Sequence, residues 1–157
     1  MKNYEVLAEI SAWTSSAYRQ GILLSGIIYL YDIYWDIMSP DPIDNLKILR
    51  SLCGPSALQN VLLTTTQPSN VNPAKGKSSE NSLRYYSSWR ALIPEGAAIK
   101  KFKGTRKSGL ELIDQLTKKE PKPLLIQQQI VEENKVLEET DAGILVKVLY
   151  PERGNRR

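Results

Sequence analysis

The stretch NVLLTTTQP, residues 60–68, runs from Val61-Leu62-Leu63 into Thr64, Thr65 and Thr66 and stops at Gln67 and Pro68. Three hydroxyls and an amide at a strand end are hydrogen-bonding chemistry: they can satisfy a surface turn or meet a polar ligand. A second polar corner, Gly104-Thr105, follows the segment AAIKKFK and suits a helix cap. Nothing in the chain turns these groups toward covalent catalysis. The sequence has no histidine, so histidine bases and histidine metal ligands are excluded by composition. No paired-carboxylate, Cys/His or Ser/His/Asp arrangement stands out. The single cysteine, Cys53, falls at helical spacing with Leu46 and Leu49 and reads as a small core residue. Lys75-Gly76-Lys77-Ser78 comes nearest in composition to a phosphate-cradling loop. It has no second glycine at the required spacing and reads as a solvated loop.

The elements that must position these groups follow from periodicity. Residues 3–20 predict a helix with Val6, Ile10, Trp13 and Ala17 on one face, stopped at Gly21. The segment LSGIIYLY, about 24–31, predicts a strand that is apolar on both sides, as in a sheet covered by helices on both faces. A helix is expected near 42–53 with Ile43, Leu46, Leu49 and Leu52 or Cys53 inward, ended by Gly54-Pro55. A second strand is expected at 60–65. QPSNVNPAKGKSS, residues 67–79, reads as a surface loop. An amphipathic helix follows at 80–93 with Tyr85, Tyr86, Trp89, Leu92 and Ile93, and then a third strand at 97–103. Further helices are predicted at 106–119, with Leu112, Ile113 and Leu116 inward, and at 123–140. The final GILVKVLYPERGNRR does not continue that periodicity and takes no firm assignment: a short extra strand with a basic tail, or translation past a misplaced exon boundary, would fit it equally. Strand–helix alternation implies an α/β fold with a parallel sheet of about three strands, few enough to leave an edge open.

With 157 residues the chain has room for one domain with a real core. A hydrophobic share of 41% and a charged share of 24% are those of a globular protein in water. One cysteine cannot form an internal disulfide, so a reducing, cytoplasmic compartment is the default expectation. The longest apolar run, Gly21 to Tyr31, is shorter than the roughly 20 residues a membrane helix needs. The formal charge of +4 is not drawn into one dense stripe. Lys100, Lys101, Lys103, Arg106 and Lys107 form the nearest thing to a patch, without the interleaved aromatics of a nucleic-acid surface. The acidic run Glu132, Glu133, Glu138, Glu139 and Asp141, with Lys135, reads as a solvated helix face. Tyr29, Tyr31, Tyr34 and Trp35 read as a core-and-rim aromatic cluster.

The phrases EVLAEISAW, LSGIIYLYDI, DNLKILRSLCGPSALQNVLLTTT, FKGTRKSGLELID and LLIQQQIVEENKVLEETDAG, in this order, resemble successive parts of fungal P-loop GTPase-like proteins. These are distant kin of the septin and immune-associated nucleotide-binding GTPases. The resemblance spans about residues 5–143. It implies a three-layer sheet of P-loop NTPase type, truncated to its C-terminal half over residues 1–120. An amphipathic terminal helix over 121–142 and a tail over 143–157 complete that expectation.

The family's phosphate loop ends in Gly-Lys-Ser/Thr and is followed by an Asp-x-x-Gly turn; together they hold phosphates and magnesium and sense the γ-phosphate. Neither motif occurs in this sequence. GTP and magnesium are therefore expected only with an upstream half, and no autonomous hydrolysis is expected. The resemblance also aligns the base-reading Asn/Thr-Lys-x-Asp loop with Thr65, Thr66, Gln67 and Pro68, of which only Thr65 conforms. Gly104 and Thr105 fall at the last base-contacting loop. The alternative reading is a non-catalytic interaction protein that meets a partner or a second copy through an open sheet edge or its terminal helix.

Overall fold

The computed structural model describes residues 3–32, 40–66, 72–86 and 89–151. The order is α1 (Asn3–Arg19), β1 (Ile27–Asp32), α2 (Pro40–Ala57), β2 (Val61–Thr66), α3 (Pro73–Tyr86), α4 (Trp89–Leu92), β3 (Ala98–Phe102) and α5 (Arg106–Thr117). Then come α6 (Leu125–Gln127), running into a π-helical turn Gln128–Glu132, and α7 (Asp141–Leu149). The fold is α/β. Among the described residues three strands form one parallel sheet in the order β1-β2-β3.

Strand β2 is central because its sequence tolerates burial on both sides. Val61, Leu62, Leu63 and Thr64 are each at most 1% exposed. Ile27, Tyr29 and Tyr31 on β1 share one sheet face with Val61 and Leu63 on β2, and they join α2, α4, α6 and α7 in the main core. Trp89 of α4 is its largest fully buried side chain and meets Tyr29 and Tyr31 edge-on, at centroid distances of 6.5 and 5.7 Å. This is the geometry that aromatic quadrupoles favour. The opposite face holds a smaller cluster of Leu62, Leu112 and Leu116, with Ile28, Ala98 and Phe102 packed against it.

Among the described residues only α5 contributes helical side chains to that second cluster, and they cover Ile28 of β1 but leave Leu30 open, against the full two-sided cover that the composition of β1 predicts. Leu30 is 58% exposed, while its register partner Thr64 is fully buried. Other expectations also change. Proline starts α3 at Pro73, inside the predicted surface loop, and Lys75–Ser78 are helical. The predicted helix over 123–140 is interrupted: the π-helical turn ends at Glu132, Asn134 takes a positive φ of 53°, and α7 begins at Asp141. GILVKVL therefore lies in a helix rather than in an extra strand. Thr140 caps it, its hydroxyl accepting from the Gly143 N–H at 3.0 Å. On α5, Leu112 and Leu116 point inward as predicted, but Ile113 is 51% exposed.

Helix α1 turns a different face inward from the one its hydrophobicity predicts. Val6, Ile10 and Trp13 are exposed, and Leu7, Ser11, Thr14 and Ser15 are buried. The seam is held by polar pairs. Tyr4 donates to Glu138, Tyr18 donates to Glu132, and the Gln127 amide donates to the Thr14 carbonyl at 2.9 Å. The acidic run is thus no simple helix face. Two of its carboxylates anchor α1, Glu133 pairs with Lys135 at 2.9 Å, and Asp141 accepts from the Gln129 amide at 2.8 Å.

Candidate functional site

The sequence-predicted site lies at the carboxyl edge of the parallel sheet, the edge where open α/β sheets receive ligands. Thr66, the last residue of β2, is the register partner of Phe102, the last residue of β3. The last residues of the two strands therefore lie side by side at this edge. Gln67 and Pro68 lie outside the described residues. Thr65, Thr66, Gly104 and Thr105 are within them.

Each threonine hydroxyl has a partner inside the sheet. Thr64 Oγ1 donates to the Leu62 carbonyl at 3.2 Å, Thr65 Oγ1 to the Lys100 carbonyl of β3 at 3.4 Å, and Thr66 Oγ1 to the Tyr31 carbonyl of β1 at 3.4 Å. Thr65 is 4% exposed and Thr66 is half-buried. Each hydroxyl thus meets a backbone carbonyl, that of Thr64 within β2 and those of Thr65 and Thr66 on the neighbouring strands, so none is buried unpaired.

The second corner is built by α5. Gly104 adopts φ +75°, which side-chain-bearing residues rarely take, and turns the chain out of β3. Thr105 is the N-cap of α5, its hydroxyl accepting from the Ser108 N–H at 3.1 Å. Ser108 Oγ accepts in turn from the Lys103 N–H at 2.9 Å. This pair of hydroxyls fixes the turn, leaving Lys103, Arg106 and Lys107 exposed around it. Lys101 is held by Glu80 at 2.8 Å. The corner combines a positive rim with hydroxyls that backbone N–H groups already engage. Among the described residues no group of three or more His, Cys, Asp or Glu could hold a metal ion.

Cys53 is 1% exposed, and burial pushes its thiol up to about 12, so at neutral pH it is a protonated core group rather than a nucleophile. Arg50 and Glu95 form a two-pronged pair, Nε to Oε2 at 2.9 Å, which raises the guanidinium and lowers the carboxyl. A groove of about 470 Å³ lies elsewhere, between α1 and α7, lined by Tyr4, Glu138, Lys147 and Tyr150 among others. Sequence reasoning did not find it, because it depends on the polar seam of α1. The exposed Leu30 was missed too; its only signal was the shortage of strands and helices to cover the sheet. No helix among the described residues is long and apolar enough to cross a membrane. Compared with known proteins, the chain matches no family model, no curated protein and no solved structure.

Proposed function

We propose that this chain is a non-catalytic docking module built on part of a G-like α/β sheet, and that it meets a protein partner along β1. The observation that carries the reading is the state of β1. Among the described residues it has a strand on one side only, and it leaves Leu30 58% exposed at the open flank of a sheet whose central strand is buried from Val61 to Thr65. An apolar edge strand of this kind is a template for strand addition or for packing by a partner's helix. The absence of Gly-Lys-Ser/Thr and Asp-x-x-Gly from the sequence supports a role without GTP hydrolysis.

The test is to compare wild type with Leu30→Lys by binding of an apolar-surface dye and by hydrogen exchange. Wild type is expected to bind the dye, to exchange the amides of Ile27–Leu30 much faster than those of β2, and to lose a clear part of the dye signal in the variant. Slow exchange along β1 together with no dye binding would defeat the reading.

A second reading is favoured by the register pair Thr66–Phe102: the adjoining ends of β2 and β3, with Gly104 and Thr105 beyond β3, contact a guanine base weakly and without magnesium. Titration of guanosine against adenosine, followed by NMR at the Thr66 and Gly104 amides, checks it. Shifts at both amides for guanosine and neither for adenosine are expected. Absence of any shift at millimolar nucleoside would remove this reading and leave the docking role intact.

A further inference from the structure

The two edge strands of the sheet differ in chemistry. From Gln20 to Tyr31 the sequence carries no charged residue, and from Ile22 to Leu30 no residue is buried. Ile22, Leu23 and Leu30 are 53, 40 and 58% exposed. The longest apolar run of the chain therefore lies partly in water along β1 and its approach. On the other side of the sheet, β3 carries Lys100 and Lys101 and is followed by Lys103. Lysines on an edge strand oppose strand addition, whereas an uncharged apolar edge is a template for it.

Resting on the reading of β1 as a docking edge, we propose that its occupant is β1 of a second copy of this chain. The two strands pair antiparallel about a two-fold axis, and the two three-stranded sheets become one continuous sheet. Such a pair must be self-complementary. Directly opposite residues share a sheet face. With Tyr29 opposite Tyr29, each Leu30 stands opposite Ile28 of the other copy. Ile28 lies on the α5 face of the sheet, and Leu30, two residues on, shares that face. Two Leu30–Ile28 pairs then form one apolar patch across the axis. A shift of the register to either side sets Leu30 against Gly26 or Ile28 against Asp32, and the patch is lost. Charge also favours a copy. The net charge of +4 opposes self-association, but the densest positive group, Lys100, Lys101, Lys103, Arg106 and Lys107, lies along β3 and at the start of α5, with β2 between β3 and the junction. A strongly acidic partner would find no basic residue on β1 to meet. One strand pair is a small interface, so the dimer is weak and concentration-dependent.

Sedimentation equilibrium of the full chain, with hydrogen exchange and dye binding followed over the same concentrations, tests this pairing. The dilute chain is expected to be a monomer with the fast β1 exchange and the dye binding of an open edge. As concentration rises a dimer should form, the amides of Ile27–Leu30 should slow and dye binding should fall. Leu30→Lys should weaken the dimer by about tenfold or more. Leu110→Lys, at an apolar residue of α5 that is 52% exposed, should leave it unchanged. Oxidation reads the register: a mixture of Leu30→Cys and Ile28→Cys chains should cross-link between copies faster than either chain alone, because only the mixed pair stands directly opposite. Cys53 is buried and takes no part. A chain that stays monomeric at every concentration, while its dilute form keeps fast exchange and dye binding, overturns the second copy and leaves the docking edge in place. Slow β1 exchange without dye binding in the dilute monomer overturns both. A dimer that Leu30→Lys leaves intact, or cross-linking no faster in the mixture, overturns the pairing.

Discussion

The Gln127 side chain bridges two parts of the fold 113 residues apart, its Nε2 donating to the Thr14 carbonyl at 2.9 Å while its Oε1 accepts from the Leu124 N–H at 2.8 Å. The residue is fully buried. Replacing it by leucine keeps the bulk and strands the Leu124 N–H in the core, at a cost of about 1–3 kcal/mol. Gln127→Glu keeps the acceptor and loses the donor while burying a carboxyl, and is expected to cost at least as much. Urea unfolding of both variants checks the order. A Gln127→Leu protein as stable as wild type would show that the bridge contributes nothing net.

Ser15 gives the opposite expectation from the same seam. It is 2% exposed, and its Oγ is buried without a hydrogen-bond partner among the described residues. Removing that hydroxyl removes a desolvated polar atom, and alanine is the better helix former. Ser15→Ala should therefore raise stability by about 1 kcal/mol, read as a higher denaturation midpoint with an unchanged slope. A lower midpoint would mean that the hydroxyl has a partner in solution.

These two residues explain why α1 was half legible. Its limits, Asn3–Arg19, followed from apolar spacing and the stop at Gly21, but its inward face did not. Hydrophobic periodicity assumes that apolar residues face the core. Here Tyr4, Thr14 and Tyr18 meet Glu138, Gln127 and Glu132, and all three partners lie in the last third of the chain. No local pattern carries that information. The same limit applies to Ile113, whose outward position depends on where α5 sits over the sheet. The sheet was more readable because strand–helix alternation implies parallel strands joined by crossovers, and three such strands are observed among the described residues. At the candidate site, the family resemblance singled out Thr65 and Gly104, which lie in and just after the carboxyl ends of β2 and β3. That the threonine hydroxyls are already engaged by backbone carbonyls depends on the packed sheet and is carried by no local pattern.

Cys53 makes the fold sensitive to alkali. Burial raises its thiol from about 9 to about 12, so the folded state holds the proton where the unfolded chain has released it. A raised folded pKa contributes stability that is fully present below the unfolded value and is lost as pH climbs toward the folded one. Between roughly pH 9 and 12 the loss from this one group is about 1.4 kcal/mol per pH unit. Burial also raises Tyr29, which acts in the same direction. Cys53→Ala isolates the thiol: its stability should fall less steeply with pH over this window than that of wild type. Equal slopes in the two proteins would place the thiol in water rather than in the core.

Thr105 separates a structural role from a binding role at the carboxyl edge. As the N-cap of α5 its hydroxyl accepts from Ser108, and Thr105→Ala should destabilise the protein by about 1 kcal/mol, whereas Thr105→Ser should keep most of that. Thr65→Val keeps the shape of a β-branched side chain and loses one 3.4 Å contact to the Lys100 carbonyl, so its expected cost is smaller, about 0.5 kcal/mol. The loss in Thr105→Ala should appear as faster hydrogen exchange in the first turn of α5, with β2 unaffected. If Thr105→Ala and Thr65→Val leave stability unchanged but abolish the response of the Thr66 and Gly104 amides to guanosine, the two hydroxyls serve a ligand rather than the fold. If the stability losses appear and guanosine has no effect in wild type, the carboxyl edge is architecture.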